Sequence, residues 1–210
     1  MSDIFSQIDS DLRKDKVLNF FKKYAVIIAV LLALIIMIFV GYFLIDNIKR
    51  NQYETSIIEY LNATSKTDPI EIIEGLNNIE SSYETLISGY ASINIAKTLI
   101  EQGKLIEAQE KLIEIFNNNN NDKLIIDISK YFYIMLKIDD ITQKEIDDIV
   151  NDEAIKESSL KYLFMELKGI KALLEKNEDA AEKIFNEIFA NVDSQSEIYI
   201  RAKKFIDIIN

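Results

Sequence analysis

The sequence predicts an all-α protein, with a single N-terminal transmembrane helix followed by an α-solenoid of paired antiparallel helices. Three observations predict this class. The 210 residues include one Pro and five Gly, which are too few turn residues for a protein of many strands. The stretch from Ala25 to Ile45 contains no charged side chain. After it, apolar residues recur at helical spacing in short segments separated by brief links.

The stretch from Ala25 to Ile45 is long enough to cross a bilayer. Its 21 residues form a helix of about 32 Å, close to the thickness of the hydrocarbon core. The apolar run is longer than that of a signal peptide, and the sequence DNIKRNQYE after it offers no small-residue cleavage site. We therefore expect an uncleaved anchor at residues 24–46, with Tyr24, Tyr42 and Phe43 at the interfaces.

The flanking charges predict the orientation of this anchor. Residues 1–23 hold five Lys or Arg, whereas the twenty residues after Ile45 hold only Lys49 and Arg50. The positive-inside rule then places the tail 1–23 in the cytoplasm and residues 47–210 outside. For a bacterial cell this means the inner membrane and the periplasm. In the tail, Ile4, Ile8 and Leu12 recur at helical spacing, which fits a helix on the membrane surface or a cytosolic docking signal.

The anchor also carries small residues that allow another membrane helix to approach closely. They are Ala29, Ala33 and Gly41, and the first two lie on one helix face. We expect lateral packing against a partner helix along this face.

Composition argues against most catalytic and metal-binding chemistry. The chain has no Cys and no His, which removes thiol nucleophiles, Ser-His triads and the usual zinc ligands. The acidic pairs Asp139–Asp140 and Asp147–Asp148 lack the spacing of a calcium loop. The net charge of −11 argues against nucleic acid as a partner. We predict no cofactor, no metal and no enzyme activity. A carboxylate-dependent hydrolase is the weakest of three hypotheses.

The part after residue 50 is acidic and divides into short helices. Residues 51–210 hold 17 Lys or Arg and 30 Asp or Glu, which gives −13. Anionic lipid repels such a domain, so we expect a stalk through Ile48–Leu61 that continues the anchor helix. The predicted helices cover 50–64, 69–81, 83–101, 104–117, 122–138, 142–151, 153–175, 178–190 and 194–209. Asp68 before Pro69 predicts a capped helix start.

Two of the helix pairs repeat one pattern. In residues 92–116 and again in 165–189, a small residue lies twelve positions before an Ala: Ala96 before Ala108, and Gly169 before Ala181. Such small residues let two helices pack closely. The spacing resembles the tetratricopeptide repeat, and Gly103 fits that family's turn between helices. A third, poorly matching unit fits between them at residues 122–151.

The resemblance to tetratricopeptide repeats implies a groove that binds extended or helical peptides. With Ala96 and Gly169 at the eighth position of their repeats, a defined set of residues faces that groove. Tyr131 and Met135 join the set if the middle unit is in register; the alternative for every member is simple packing between helices. The candidate groove residues are Tyr90, Ile93, Lys97, Tyr131, Met135, Glu166 and Ile170.

An N-terminal anchor followed by degenerate repeats also resembles the YfgM family of ancillary SecYEG translocon subunits. The amphipathic head, the anchor and the stretch from Gly89 to Ala108 carry this resemblance. It implies a periplasmic interaction module whose partners are Sec translocon subunits, periplasmic chaperones or nascent chains. The alternative is a self-associating envelope scaffold, which would form a homo-oligomer without any added partner.

Overall fold

In a computed structural model of the chain, the backbone is described for residues 2–83 and 86–209. Side chains are described for residue 24, for 30–31, for 34–83 and for 86–209. This described part consists of ten α-helices and contains no strand, which confirms the all-α class. The helices are α1 (Ser2–Thr64), α2 (Pro69–Ser82), α3 (Leu86–Glu101), α4 (Leu105–Asn117), α5 (Lys123–Leu136), α6 (Gln143–Val150), α7 (Glu153–Lys156), α8 (Lys161–Leu174), α9 (Glu178–Asn191) and α10 (Glu197–Ile209).

Contacts divide the chain into two units, Met1–Gln52 and Tyr53–Asn210. In the first unit, the described large apolar side chains between Val30 and Ile48 are exposed. Among the residues with a described placement, no helix is both long and apolar enough for a membrane span. The side chains of Ala29 and Ala33, and those of the predicted tail, lie outside the described residues. Gly41 is described, and a Cβ placed on it meets no described atom within 4 Å.

Polar capping residues lie at the N-termini of several helices of the second unit. Asp68 accepts a hydrogen bond from the backbone N–H of Ile70, and Pro69 is the first residue of α2, as predicted. Asp122 caps α5 in the same way. Thr142 and Glu145 form a reciprocal capping box at the start of α6. Local chemistry therefore decides where these helices begin.

The predicted helix 153–175 is wrong, because two helices, α7 and α8, occupy that stretch. Ser158 lies in the break between them. Its Oγ accepts a hydrogen bond from the backbone N–H of Leu160 at 3.1 Å and donates one to the Asp127 carboxylate of α5 at 2.5 Å. The Asp127 carboxylate is buried, and a buried charge needs hydrogen-bond partners, so this tertiary contact stabilises the fold.

Helices of the second unit pack mostly against their neighbours in sequence. α2 packs on α3, α3 on α4, α4 on α5, α8 on α9, and α9 on α10. Their apolar residues form three core clusters. The largest cluster joins α5 to α10 around Phe164 and Phe185, both of which are fully buried. The series is interrupted after α5, because α6 packs on α8 and α5 also contacts α8.

Candidate interaction groove

Five helical segments of the second unit lie side by side, although they are not consecutive in the sequence. They are residues 53–64 at the end of α1, then α3, α5, α8 and α10. α3 contacts α5, α5 contacts α8, and α8 contacts α10. The amide of Asn94 in α3 donates a short hydrogen bond to the hydroxyl of Tyr60 in α1. We call these five segments the inner row.

Each of the first four segments of the inner row carries a buried residue, and a second buried or half-buried residue follows it twelve positions later. The sequence reveals the pairs in α3–α4 and α8–α9. The structure adds a pair at each of two further places, the end of α1 with α2, and α5 with α6. The pairs are Ala63–Gly75, Ala96–Ala108, Ile134–Ile146 and Gly169–Ala181.

Close approach explains why most of these residues are small. A Cβ on Gly75 would lie 2.8 Å from the Cβ of Ala63, and a Cβ on Gly169 would lie 2.7 Å from the ring of Phe185. In the middle pair, Ile134 and Ile146 are both fully buried in one cluster. Two large residues replace the small ones there, so the pattern is not visible in the sequence of this unit.

The predicted groove residues occupy equivalent places on the inner row. Ile93, Tyr131 and Glu166 each lie three residues before the buried residue of their helix. Lys97, Met135 and Ile170 each lie one residue after it. Tyr131 and Met135 thus have the same offsets from Ile134 as Ile93 and Lys97 have from Ala96. Tyr90 lies six residues before Ala96.

Accessibility divides the seven predicted residues into three groups. Lys97 and Met135 are exposed, the Lys97 side chain to 63% and Met135 to 40%. Tyr90, Tyr131 and Ile170 are half-buried. Ile93 and Glu166 are 8% and 3% exposed, so they form the floor of this face and offer little surface to a partner.

Glu166 is held by a bidentate ion pair with α10. Its two carboxylate oxygens accept hydrogen bonds from Nε and Nη2 of Arg201 at 2.6 and 2.7 Å. This fork geometry is the strongest pairing available to a carboxylate. The hydrogen bonds also raise the pKa of Arg201. Glu166 therefore contributes no uncompensated charge to the face.

Tyr131 lies beside this ion pair, between α5 and α8. Its ring meets Phe164 edge-on, with centroids 6.1 Å apart. Burial raises the pKa of the Tyr131 hydroxyl, and the nearby Glu166 carboxylate raises it further, whereas Arg201 acts in the opposite direction. The phenol is thus neutral at physiological pH and presents an aromatic edge to the face.

The sequence matches a protein family over nearly its full length. The model of the family described as "Protein of unknown function (DUF2659)" matches residues 1–207. The chain belongs to this family. No curated protein and no solved structure matches it.

Sequence analysis missed three residues of this site. Tyr60, Ala63 and Arg201 lie on the inner row, beyond the two stretches that were superposed. One signal for the first unit was available, because Ala63 lies twelve residues before Gly75. Nothing in the sequence pairs Arg201 with Glu166, since the two residues are 35 positions apart and meet only after α10 folds back.

A separate cavity of about 720 Å³ lies where α2 ends, α3 and α5 begin and α4 ends. Its walls are polar, but several of its charged groups satisfy one another. Glu80 accepts hydrogen bonds from Lys111 and from Ser92, both at 2.7 Å, and Lys111 also contacts Glu114 at 3.1 Å. Among the described residues, no group of three or more acidic side chains is arranged to hold a metal ion.

Proposed function

We propose that the protein is a membrane-anchored interaction module that binds polypeptides on its inner row. The observation that carries this proposal is the repeated placement of apolar and aromatic side chains on neighbouring helices. Met135 of α5 and Ile170 of α8 occupy equivalent positions, where Met135 is exposed and Ile170 is half-buried. Tyr131 is half-buried at the position where α3 and α8 bury Ile93 and Glu166. A face built from repeats in this way offers a run of similar subsites for one extended partner.

The helix pairs support a tetratricopeptide-like solenoid as the fold of this module. The spacing of twelve residues within α3–α4 and within α8–α9, two pairs of helices that pack together, and the close contact at Gly75 and Gly169 are the supporting features. The contacts between α3, α5, α8 and α10 also agree with it, because the first helices of successive repeats stack in that way. The proposed role is binding and not catalysis.

The exposed apolar residues of the first unit support the proposal of a membrane anchor. Residues 34–40 are all exposed and apolar, and consecutive residues of a helix point to different sides. An apolar surface that surrounds a helix is costly in water and favourable in lipid. Anchoring would raise the effective concentration of the module near membrane partners, so that a weak contact suffices.

The proposed place of action is the periplasmic side of the inner membrane. The excess of Lys and Arg in residues 1–23 supports this orientation. We propose Sec translocon subunits, periplasmic chaperones and emerging chains as the partners. Ala29, Ala33 and Gly41 would face the membrane partner, and the inner row would face the polypeptide.

A topology-resolved crosslink in native membranes tests the proposal. A photo-crosslinking amino acid replaces Tyr131 in one variant, Ala33 in a second, and the exposed Glu110 of α4 in a third as a control. Intact spheroplasts are treated with protease after irradiation. We expect protease access to the second unit, polypeptide adducts at position 131, a translocon adduct at position 33, and few adducts at position 110.

Each arm of this experiment can contradict a different part of the proposal. A second unit protected from protease would overturn the orientation. Equal yields of adducts at positions 131 and 110 would contradict the proposal that polypeptides bind on the inner row. Adducts at position 131 that contain only further copies of this chain would favour the scaffold.

One observation favours the scaffold as a second candidate. Helix α10 exposes Ile208 to 74%, and Ile200 is also exposed on this helix. Exposed apolar side chains of this kind form a surface on which a second copy can pack. Sedimentation of the purified protein at several concentrations separates the two candidates, because only the scaffold requires self-association.

A further inference from the structure

We infer that the inner row takes an extended peptide with an apolar side chain at every third residue and with Lys or Arg at its ends. This inference rests on the proposed function and names the chemistry of its partner. It follows from three properties of the described residues: the neutral floor of the face, the distance between neighbouring helices, and the charge of the surrounding domain.

The two charged members of the candidate groove residues, Glu166 and Lys97, are each paired. Glu166 is bound by Arg201, and Lys97 lies 3.7 Å from Glu101. Between these pairs the face presents Tyr131, Met135 and other apolar side chains. A partner of this central region is therefore recognised by apolar contact, since a charged side chain placed there would lose its hydration without gaining a free counter-charge.

The geometry of packed helices sets the spacing of the peptide's apolar residues. Axes of neighbouring helices lie about 8–10 Å apart. A chain extended in the polyproline II conformation advances about 3.1 Å per residue, and every third of its side chains points in the same direction. One step from α3 to α5, or from α5 to α8, therefore corresponds to about three peptide residues. An apolar residue at every third position places one side chain at each helix of the row.

The domain around this face decides the charge of the peptide's ends. Residues 51–210 carry a net charge of −13. A strongly negative domain attracts cationic groups and repels anionic ones over distances of about 10 Å at moderate ionic strength. Peptide ends that extend beyond the neutral floor enter this field. Basic ends should therefore strengthen binding, and acidic ends should weaken it.

The test compares three fluorescein-labelled peptides by fluorescence anisotropy on the full chain in nanodiscs of the neutral lipid phosphatidylcholine. The first has Leu at every third position of a Ser background and Lys at both ends. The second has the same core with Glu at both ends. The third has Lys ends and the same core composition with its Leu residues adjacent. Empty nanodiscs correct for binding to lipid.

We expect the Lys-ended peptide to bind at least about 10-fold more tightly than the Glu-ended one at low salt, with the ratio falling towards one at high salt. The scrambled core should bind several-fold more weakly than the regular one. Met135→Ser should weaken the first peptide about 3-fold or more, because its exposed thioether loses apolar contact. The control Ile106→Ser removes an even more accessible apolar side chain from α4, 75% exposed against 40% for Met135, and should change nothing.

The outcomes separate this inference from the proposed function. If the Lys-ended and Glu-ended peptides bind equally and Met135→Ser weakens the binding of both, the proposed groove is supported and the inferred preference for basic ends is wrong. If the scrambled core binds as well as the regular one, the spacing is wrong. If no peptide responds to Met135→Ser, both the inference and the proposed groove fail.

Discussion

At the scale of single residues, the pair Glu166–Arg201 ties α10 to α8. Glu166 is buried and Arg201 is partly exposed, so the pair is neither a surface ion pair nor a fully buried one. Removing the guanidinium leaves a carboxylate charge in a dry site. We predict that Arg201→Ala lowers the free energy of unfolding by about 2 kcal/mol, less than for a fully buried pair because solvent screens the Arg201 side. Urea unfolding measures this loss.

Glu166→Gln provides the matched control for this prediction. The amide keeps the shape of the carboxylate but removes its charge. The double variant Glu166→Gln with Arg201→Ala should therefore unfold at a higher urea concentration than Arg201→Ala alone. If Arg201→Ala costs under about 0.5 kcal/mol, the ion pair is not a tie between the helices.

Tyr131 makes the stability of the second unit depend on pH in the alkaline range. Its pKa in the folded state is raised above 10.0, mainly by burial and then by Glu166. The neutral phenol is therefore favoured by folding. The contribution of Tyr131 to stability is fully present below the pKa that its phenol has in the unfolded chain. This contribution is lost as the pH rises through the pKa of the folded state.

We predict that Tyr131→Phe reduces the loss of stability between about pH 9 and pH 11. Phe keeps the edge contact with Phe164 and cannot ionise. Urea unfolding at both pH values measures the difference. Tyr53→Phe at an exposed position of α1 is the control. An unchanged pH dependence in Tyr131→Phe would contradict the prediction.

At the scale of helices, Gly169 sets the approach of α8 to α9. An added Cβ would lie 2.7 Å from Cζ of Phe185, and that ring is fully buried and stacked on Phe205 at 4.9 Å. The ring has no room to withdraw. We predict that Gly169→Ala destabilises the protein by about 1–3 kcal/mol, although Ala favours helix by about 1 kcal/mol.

Thermal unfolding of Gly169→Ala measures this effect, and a second substitution reverses its sign. In the background of Phe185→Leu the shorter side chain frees the space at Gly169. There Gly169→Ala should be neutral or stabilising, because only the helix preference remains. An equal loss in both backgrounds would show that the contact with Phe185 is not the cause.

The turns after α3 and after α8 have one geometry but different residues. Gly103 has φ +75°, and Lys176 has φ +62°. Each lies seven residues after the glycine or alanine at the buried position of its helix. In both turns the next backbone N–H donates to a helix carbonyl at 2.9 Å: Lys104 to Leu99, and Asn177 to Ala172. This is the left-handed helix end that favours glycine.

Lys176 therefore carries backbone strain that Gly103 avoids. We predict that Lys176→Gly raises the free energy of unfolding by about 0.5 kcal/mol, the relief of about 1–2 kcal/mol of left-handed strain less the entropy cost of Gly. The reciprocal Gly103→Lys should lower it. Urea unfolding of the two variants measures the difference. A loss of stability in Lys176→Gly would contradict the assignment of the turn.

At the scale of the whole molecule, the second unit begins inside α1. Residues 53–64 belong to it, and Ser56 and Ala63 are buried there. We predict that a fragment of residues 53–210 folds and unfolds cooperatively. A fragment of residues 66–210 should be less stable by about 2–4 kcal/mol, because it exposes the surface that Ala63 and Tyr60 cover.

Circular dichroism of the two fragments in urea tests this boundary. The shorter fragment begins in the loop between α1 and α2, so its new end cuts no helix. Equal midpoints for the two fragments would place the boundary after α1. Failure of the longer fragment to fold would make residues 1–52 part of the folding unit.

Much of the fold was predictable because it follows from local chemistry. The helices began near their polar caps at Asp68, Asp122 and Thr142, and most helix bounds agree with the apolar spacing. The repeat was visible wherever small residues mark it, as at Ala96 and Gly169. It was hidden where Ile134 and Ile146 fill the same places.

The candidate site was predictable only in part. The exposed members Lys97 and Met135 and the half-buried Tyr131 follow from position within a repeat, which the sequence contains. The burial of Glu166 does not follow from it, because that depends on Arg201 from a helix 35 residues away.

The sequence by itself determined the helical class, the uncharged stretch, the acid excess and the spacing of two helix pairs, because caps, apolar period and composition act over a few residues. Only the tertiary structure decided that α7 and α8 separate at Ser158, that the inner row starts within α1, and that Glu166 is neutralised. Each of these depends on contacts between residues about thirty positions apart. Such contacts form only when the backbone reverses direction, and no local pattern specifies which side chains then meet.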